Sequence, residues 1–222
     1  MIAFGMGRTE NQSPSKPLLR GVLHEVAAFV AAIAGGILVA VAPGPRARAG
    51  AIIYGISLVA LFAVSAIYHR PNWSERIRLV LRRVDHSAIF LLIAGTYTPF
   101  SFLLGSRVGW VFLGIVWAGA LFGIVLSIAW VGAPKVLVAA VCVLLGWAAL
   151  PLLPALKAAL GTGAVVLLAA GGIVYSLGAL VYAVRRPNPF PAVFGYHEVF
   201  HALVIVAAAV QYAVIAFWVV PH

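Results

Sequence analysis

Two histidines four residues apart, His197 and His201, stand at the start of the last apolar run of the chain. On a helix that spacing puts both imidazoles on one face, which is a common half of a zinc site. Ser65 and His69 repeat the i, i+4 spacing at the end of another apolar run, and Asp85-His86 opens a third. His69 could supply a third nitrogen, and Asp85 could hold a water at the metal or a ligand proton. Three histidines plus water make an open, catalytic zinc geometry, and Zn2+ brings the pKa of a water to about 7. Imidazoles also suit other first-row ions, so the residue types alone do not fix the metal. The stretch His197-Glu198-Val199-Phe200-His201 matches His-Glu-x-x-His literally. In zincins that Glu is the general base. Here Glu198 falls about 100° around the helix from His197, and a structural or loop-facing role is the stronger expectation.

These groups need a scaffold, and composition says which kind. Of 222 residues, 64% are hydrophobic and 9% charged, and mean hydropathy is +1.10. A soluble domain is about one quarter charged, so this chain has too little polar surface for a water-facing fold. Seven apolar runs stand out, at about 21–41, 50–69, 86–104, 109–130, 135–153, 163–184 and 197–219. Each approximates the ~20 residues that cross a bilayer. Lipid offers the backbone no partners, so the runs must be helices. The expected fold is all-α, a polytopic membrane protein with a bundle of seven transmembrane helices over 21–219. Residues 1–20 are polar, lack the apolar core of a signal peptide and read as a disordered cytoplasmic tail. Pro and Gly punctuate the breaks, as in Ala42-Pro43-Gly44-Pro45 and Gly132-Ala133-Pro134. The one cysteine, Cys142, lies in an apolar run and reads as a small buried hydrophobe.

The formal charge of +10 could signal nucleic acid, but the basic residues fall between apolar runs. They are better read as fixing orientation in a cell membrane, and no nucleic-acid partner is expected. With the N-terminus cytoplasmic, every Lys and Arg lies inside except Arg46, Arg48, Arg107 and Lys157. The positive-inside rule therefore favours a cytoplasmic N-terminus and an outside C-terminus. That topology brings the polar groups to one depth. The second run ends inside with Ser65 and His69, the third starts inside with Asp85, and the seventh starts inside with His197 and His201. Ionisable groups at membrane depth are costly and mark function.

At these residues the chain resembles the hemolysin III family, relatives of the progestin and adipoQ receptors. The matching stretches are Ser65-Ala-Ile-Tyr-His69, Asp85 through Pro99, and Phe194-Gly-Tyr-His-Glu-Val-Phe-His201. The resemblance implies seven helices with a zinc ion near the cytoplasmic side, held by His69, His197 and His201. It implies that Asp85 orients a water there and that Ser65 is a nearby polar partner. It assigns no role to His24-Glu25, where the match is looser. Related receptors are associated with ceramidase-like amide hydrolysis.

The leading expectation is thus a membrane zinc hydrolase acting on a lipid amide or ester that enters from the bilayer. One alternative is a receptor or signalling protein with structural zinc. Another is a pore-forming cytolysin, ranked low because a secreted toxin must be soluble before insertion.

Overall fold

The structure, a computed structural model, describes residues 16–221. Seven α-helices follow in order: α1 Val22–Val41, α2 Pro45–His69, α3 Glu75–Leu104, α4 Arg107–Ala129, α5 Lys135–Gly146, α6 Leu153–Val184 and α7 Tyr196–Val214. A 3-10 turn, Leu150–Leu152, joins α5 to α6, and a π-helical turn, Ile215–Val219, ends α7.

Helix boundaries follow the Pro, Gly and Ser residues. Pro45 occupies the first turn of α2, where its missing N–H has no helical partner to lose. Gly105 closes α3 in the left-handed region at φ 54°. The Ser106 hydroxyl then caps α4 by accepting from the Gly109 N–H. Helix α3 starts at Glu75 rather than near residue 86, because Arg76, Arg78, Arg82 and Arg83 extend it beyond the apolar run.

Among the described residues, six helical stretches are long and apolar enough to cross a membrane. One is the whole stretch Lys135–Val184, 50 residues. A straight helix of that length would measure about 75 Å, against a hydrocarbon core of about 30 Å. The stretch is not straight. It turns at the 3-10 segment and again at Gly161, whose φ of 81° and ψ of 170° are non-helical, and α5 packs back on α6. Alone, α5 has 12 residues and reaches about 18 Å. Length and composition therefore yield six candidate spans where seven apolar runs were expected.

Neighbouring helices pack in sequence from α1 to α4, α6 packs on α7, and α7 returns to α1. The buried core lies on α2, α3 and α7, around Tyr54, Phe90, Phe100 and Ala207. By contrast α1 and α4 turn Phe29, Ile33, Leu121 and Phe122 outward, as lipid-facing helices do.

The expected disordered tail over 1–20 falls mostly on residues outside those described. Its last part is tied down: the N–H groups of Leu18 and Leu19 donate to the carbonyls of Ala192 and Val193, in the loop before α7.

Candidate metal centre

The last turn of α2 and the first turns of α7 meet at one end of the bundle. Ser65 and His69, one turn apart, project from α2, and His197 and His201 project from α7. The Nε2 atoms of His69 and His197 lie 3.1 Å apart. The ring centroids of His201 are 4.4 Å from His197 and 5.1 Å from His69. One nitrogen from each of the three falls within 4.8 Å of the others, a spacing that could hold a metal ion. Two ligands on a tetrahedral ion with ~2.0–2.1 Å bonds stand about 3.3 Å apart, so the His69–His197 separation suits such a site. Three imidazoles without a thiolate suit Zn, Cu, Fe or Ni.

Asp85, on α3, is buried at the same end. Its carboxyl faces the Ser65 hydroxyl, so the sequence-derived site residues from α2, α3 and α7 gather around one cavity. His86, the next residue on α3, also lines that cavity.

Sequence reasoning assigned no role to His24, and the structure places it at the centre. His24 is 2% exposed, and its Nδ1 lies 2.8 Å from the Ser65 hydroxyl. Its ring stacks on His201 with centroids 3.8 Å apart and planes 5° from parallel. Its Nε2 is buried without a partner among the described residues. Alternation of the helix could have revealed it. The buried positions of α1 are His24, Ala27, Ala31, Gly35 and Leu38, a single stripe of small or apolar residues at helical spacing. His24 continues that stripe and so faces the bundle.

The acids beside these histidines are otherwise engaged. Glu25 pairs with Arg70 at 2.7 Å. Glu198 is 1% exposed, accepts from the Gly195 N–H at 2.8 Å and pairs with Arg20 at 2.5 Å. One carboxylate oxygen thus caps the start of α7 and the other holds the segment before α1. The geometry accords with the structural reading of Glu198, since both oxygens are committed away from the imidazoles. Arg20 lies in the stretch read as a featureless tail, and its role could not be foreseen without its partner 178 residues away.

From this end a cavity of about 680 Å³ runs into the bundle. His24, His69 and His201 line one end, and Leu168, Tyr175 and Gln211 line the other. His201 and Gln211 are ten residues apart on α7, about 15 Å along the axis. The intervening walls include Leu92, Ile93, Val138 and Val204. The arrangement sets a cluster of carboxyl, hydroxyl and imidazole groups at one end of an apolar chamber long enough for an alkyl chain.

A family model described as haemolysin-III related matches residues 12–212. The hemolysin-3 homolog of Bacillus subtilis (strain 168) is 35% identical over 171 residues, which is 76% of each chain. Hemolysin-3 of Bacillus cereus is 33% identical over 171 residues, 76% of this chain and 74% of that one. The human monocyte to macrophage differentiation factor is 28% identical over 169 residues, 72% of this chain and 66% of that one.

Proposed function

The chain belongs to the hemolysin III family, related to the adipoQ receptors, and is an integral membrane protein; from this we propose that it is a metal-dependent hydrolase of a lipid amide or ester. The observation that carries the reading is the joining of three clustered imidazoles to a long apolar cavity. His69, His197 and His201 would hold the ion, and zinc is the ion proposed. Zinc when bound supplies Lewis-acid polarisation of a carbonyl and a more acidic water.

The remaining work falls to the chain's own residues. The cavity wall takes the alkyl part of the substrate and excludes bulk water, which strengthens electrostatic interactions at the polar end. Asp85, facing the centre from α3, accepts a proton from the attacking water. The Ser65 hydroxyl, held by His24, lies between that carboxyl and the imidazoles. His24 braces the flat face of His201 and so limits its rotation.

We read Lys135–Val184 as two crossings, which gives seven spans. Its fold-back at the 3-10 turn and its length support this. The distribution of Lys and Arg supports a cytoplasmic N-terminus and an outside C-terminus. Reporter fusions at the two ends should report opposite faces; the same face for both would reject the odd count.

Metal content and turnover test the enzyme reading together. Detergent-purified protein is expected to carry about one zinc per chain, and His201→Ala to lose both zinc and hydrolysis of a lipid amide. Undiminished turnover by metal-stripped protein would reject the hydrolase.

A further inference from the structure

The cytoplasmic end of the cavity is strongly and one-sidedly charged. Lys16, Arg20, Arg78, Arg82 and Lys135 line it, against the single carboxylate of Asp85. Two of these cations are already engaged. Arg20 is held by Glu198, and Lys16 donates to the backbone carbonyls of Arg70 and Pro71. Arg78, Arg82 and Lys135 have no acidic partner among the described residues, where the ion pairs are Arg20–Glu198 and Arg70–Glu25.

Lys135 is not a loose surface lysine. Its ammonium lies 4.6 Å from the ring centre of Tyr182 and 5.4 Å from that of Tyr196. It donates to the Tyr196 hydroxyl at 3.2 Å. An ammonium between two phenol faces is attracted by both rings and keeps donors for a further acceptor. Arg82, on α3, lines the same cavity as Lys135 and His86. Positive-inside orientation requires basic residues on this side of the bilayer. It does not require that α3 and α5 each contribute one to the same cavity lining, together with Tyr182 of α6 and Tyr196 of α7.

We propose that this end of the cavity is an oxyanion site: Arg82 and Lys135, with Tyr182 and Tyr196, take the carboxylate or phosphate headgroup of a single-chain amphiphile whose tail fills the apolar cavity. Arg gives the oxyanion a planar, two-pronged donor, and Lys a point charge. The phenol hydroxyls complete the shell. The headgroup then sits at the membrane–water boundary, and the first bonds of the tail pass the imidazole cluster. The inference rests on the reading that the cavity receives a lipid, but not on hydrolysis, and it narrows the substrate class to acidic lipids.

Displacement of a neutral, pyrene-labelled fatty alcohol from the protein in phosphatidylcholine nanodiscs tests it, since binding is read without turnover and the reporter does not itself need the oxyanion site. The competitors share one tail: dodecyl phosphate, dodecanoate and dodecanol. Inorganic phosphate is the headgroup alone. Both acidic amphiphiles are expected to compete about tenfold better than dodecanol, as charge-assisted hydrogen bonds predict. Inorganic phosphate at the same concentration should displace nothing. In the Arg82→Gln/Lys135→Gln double variant the tenfold advantage should vanish while dodecanol competes as before, which also shows that the cavity is intact. Equal competition by dodecanol and dodecyl phosphate in the unmodified protein overturns the oxyanion site while leaving a lipid cavity. Displacement by inorganic phosphate overturns the lipid source. No displacement by any amphiphile overturns the lipid cavity itself, and with it the reading on which the inference rests.

Discussion

The pairing of Arg20 with Glu198 separates two readings of the His-Glu-x-x-His stretch. The Glu198 side chain is 1% exposed, whereas that of Arg20 is 21% exposed. The two halves of the pair should therefore respond unequally to mutation. Arg20→Met leaves a buried carboxylate with the Gly195 N–H as its remaining partner. Removing one member of a buried pair typically costs about 3–5 kcal/mol. Glu198→Gln leaves a guanidinium that can turn toward water, and the amide oxygen still accepts from Gly195. Loss of one charge-assisted hydrogen bond costs about 1.5–3 kcal/mol. For a chain of this size 1 kcal/mol corresponds to about 2–4 °C. Arg20→Met should thus lower the thermal midpoint in detergent by roughly 6–20 °C, and Glu198→Gln by less. Bound metal and turnover per folded molecule should persist in Glu198→Gln. A general base behaves differently: its loss typically lowers the rate by about 10²–10⁴ with little change in stability. If Glu198→Gln keeps its thermal midpoint and loses turnover, the structural assignment of Glu198 is wrong.

Other expectations follow from single contacts. Replacing His24 by Ala removes the Ser65 hydrogen bond and the stack on His201. Zinc affinity should fall by about 10–100-fold, as for other groups that support a ligand, measured by competition with a chromophoric chelator; unchanged affinity would refute the bracing role. Helix packing gives a paired test. A methyl group added at Gly123 would meet the Phe90 ring at 2.3 Å, while Gly36 has nothing within 4 Å. Gly123→Ala should lose about 1–3 kcal/mol of stability and Gly36→Ala should be close to neutral, as read from thermal midpoints in one detergent.

Much of the site is legible because its residues are out of place for their surroundings. A histidine or aspartate in a run of Leu, Val and Ala is conspicuous, and the alternating directions of successive helices put Ser65, His69, Asp85, His197 and His201 at one depth. His24 is also conspicuous by type, but its neighbour Glu25 drew equal notice, and only the stripe of Ala27, Ala31 and Gly35 tells which of the two faces inward. The structure sends them apart, His24 onto His201 and Glu25 onto the exposed Arg70. Arg20 and Lys16 are legible as orienting charges, but their contacts are not. Their importance arises from partners in distant loops, and a short polar stretch carries no periodicity to reveal them. In the α5–α6 region the sequence separates two apolar runs, 135–153 and 163–184; the structure adds that α5 already ends at Gly146 and that the break runs from the 3-10 turn Leu150–Leu152 to Gly161.

That break is placed where it matters for the cavity. Beyond α6, α5 packs mainly on α3 and α4, and with one buried residue, Val138, it is the least embedded of the seven helices. Yet Lys135, Val138, Ala139, Cys142 and Val143 from this one short helix line the cavity. A wall made by a helix with little packing of its own opens locally at lower cost than one made by α2 or α3. Passage of a lipid tail from the bilayer should therefore occur beside α5. A cross-link between α5 and α3 should slow the exchange of a bound amphiphile without displacing the metal; an equal rate with the link in place would show that the tail enters elsewhere.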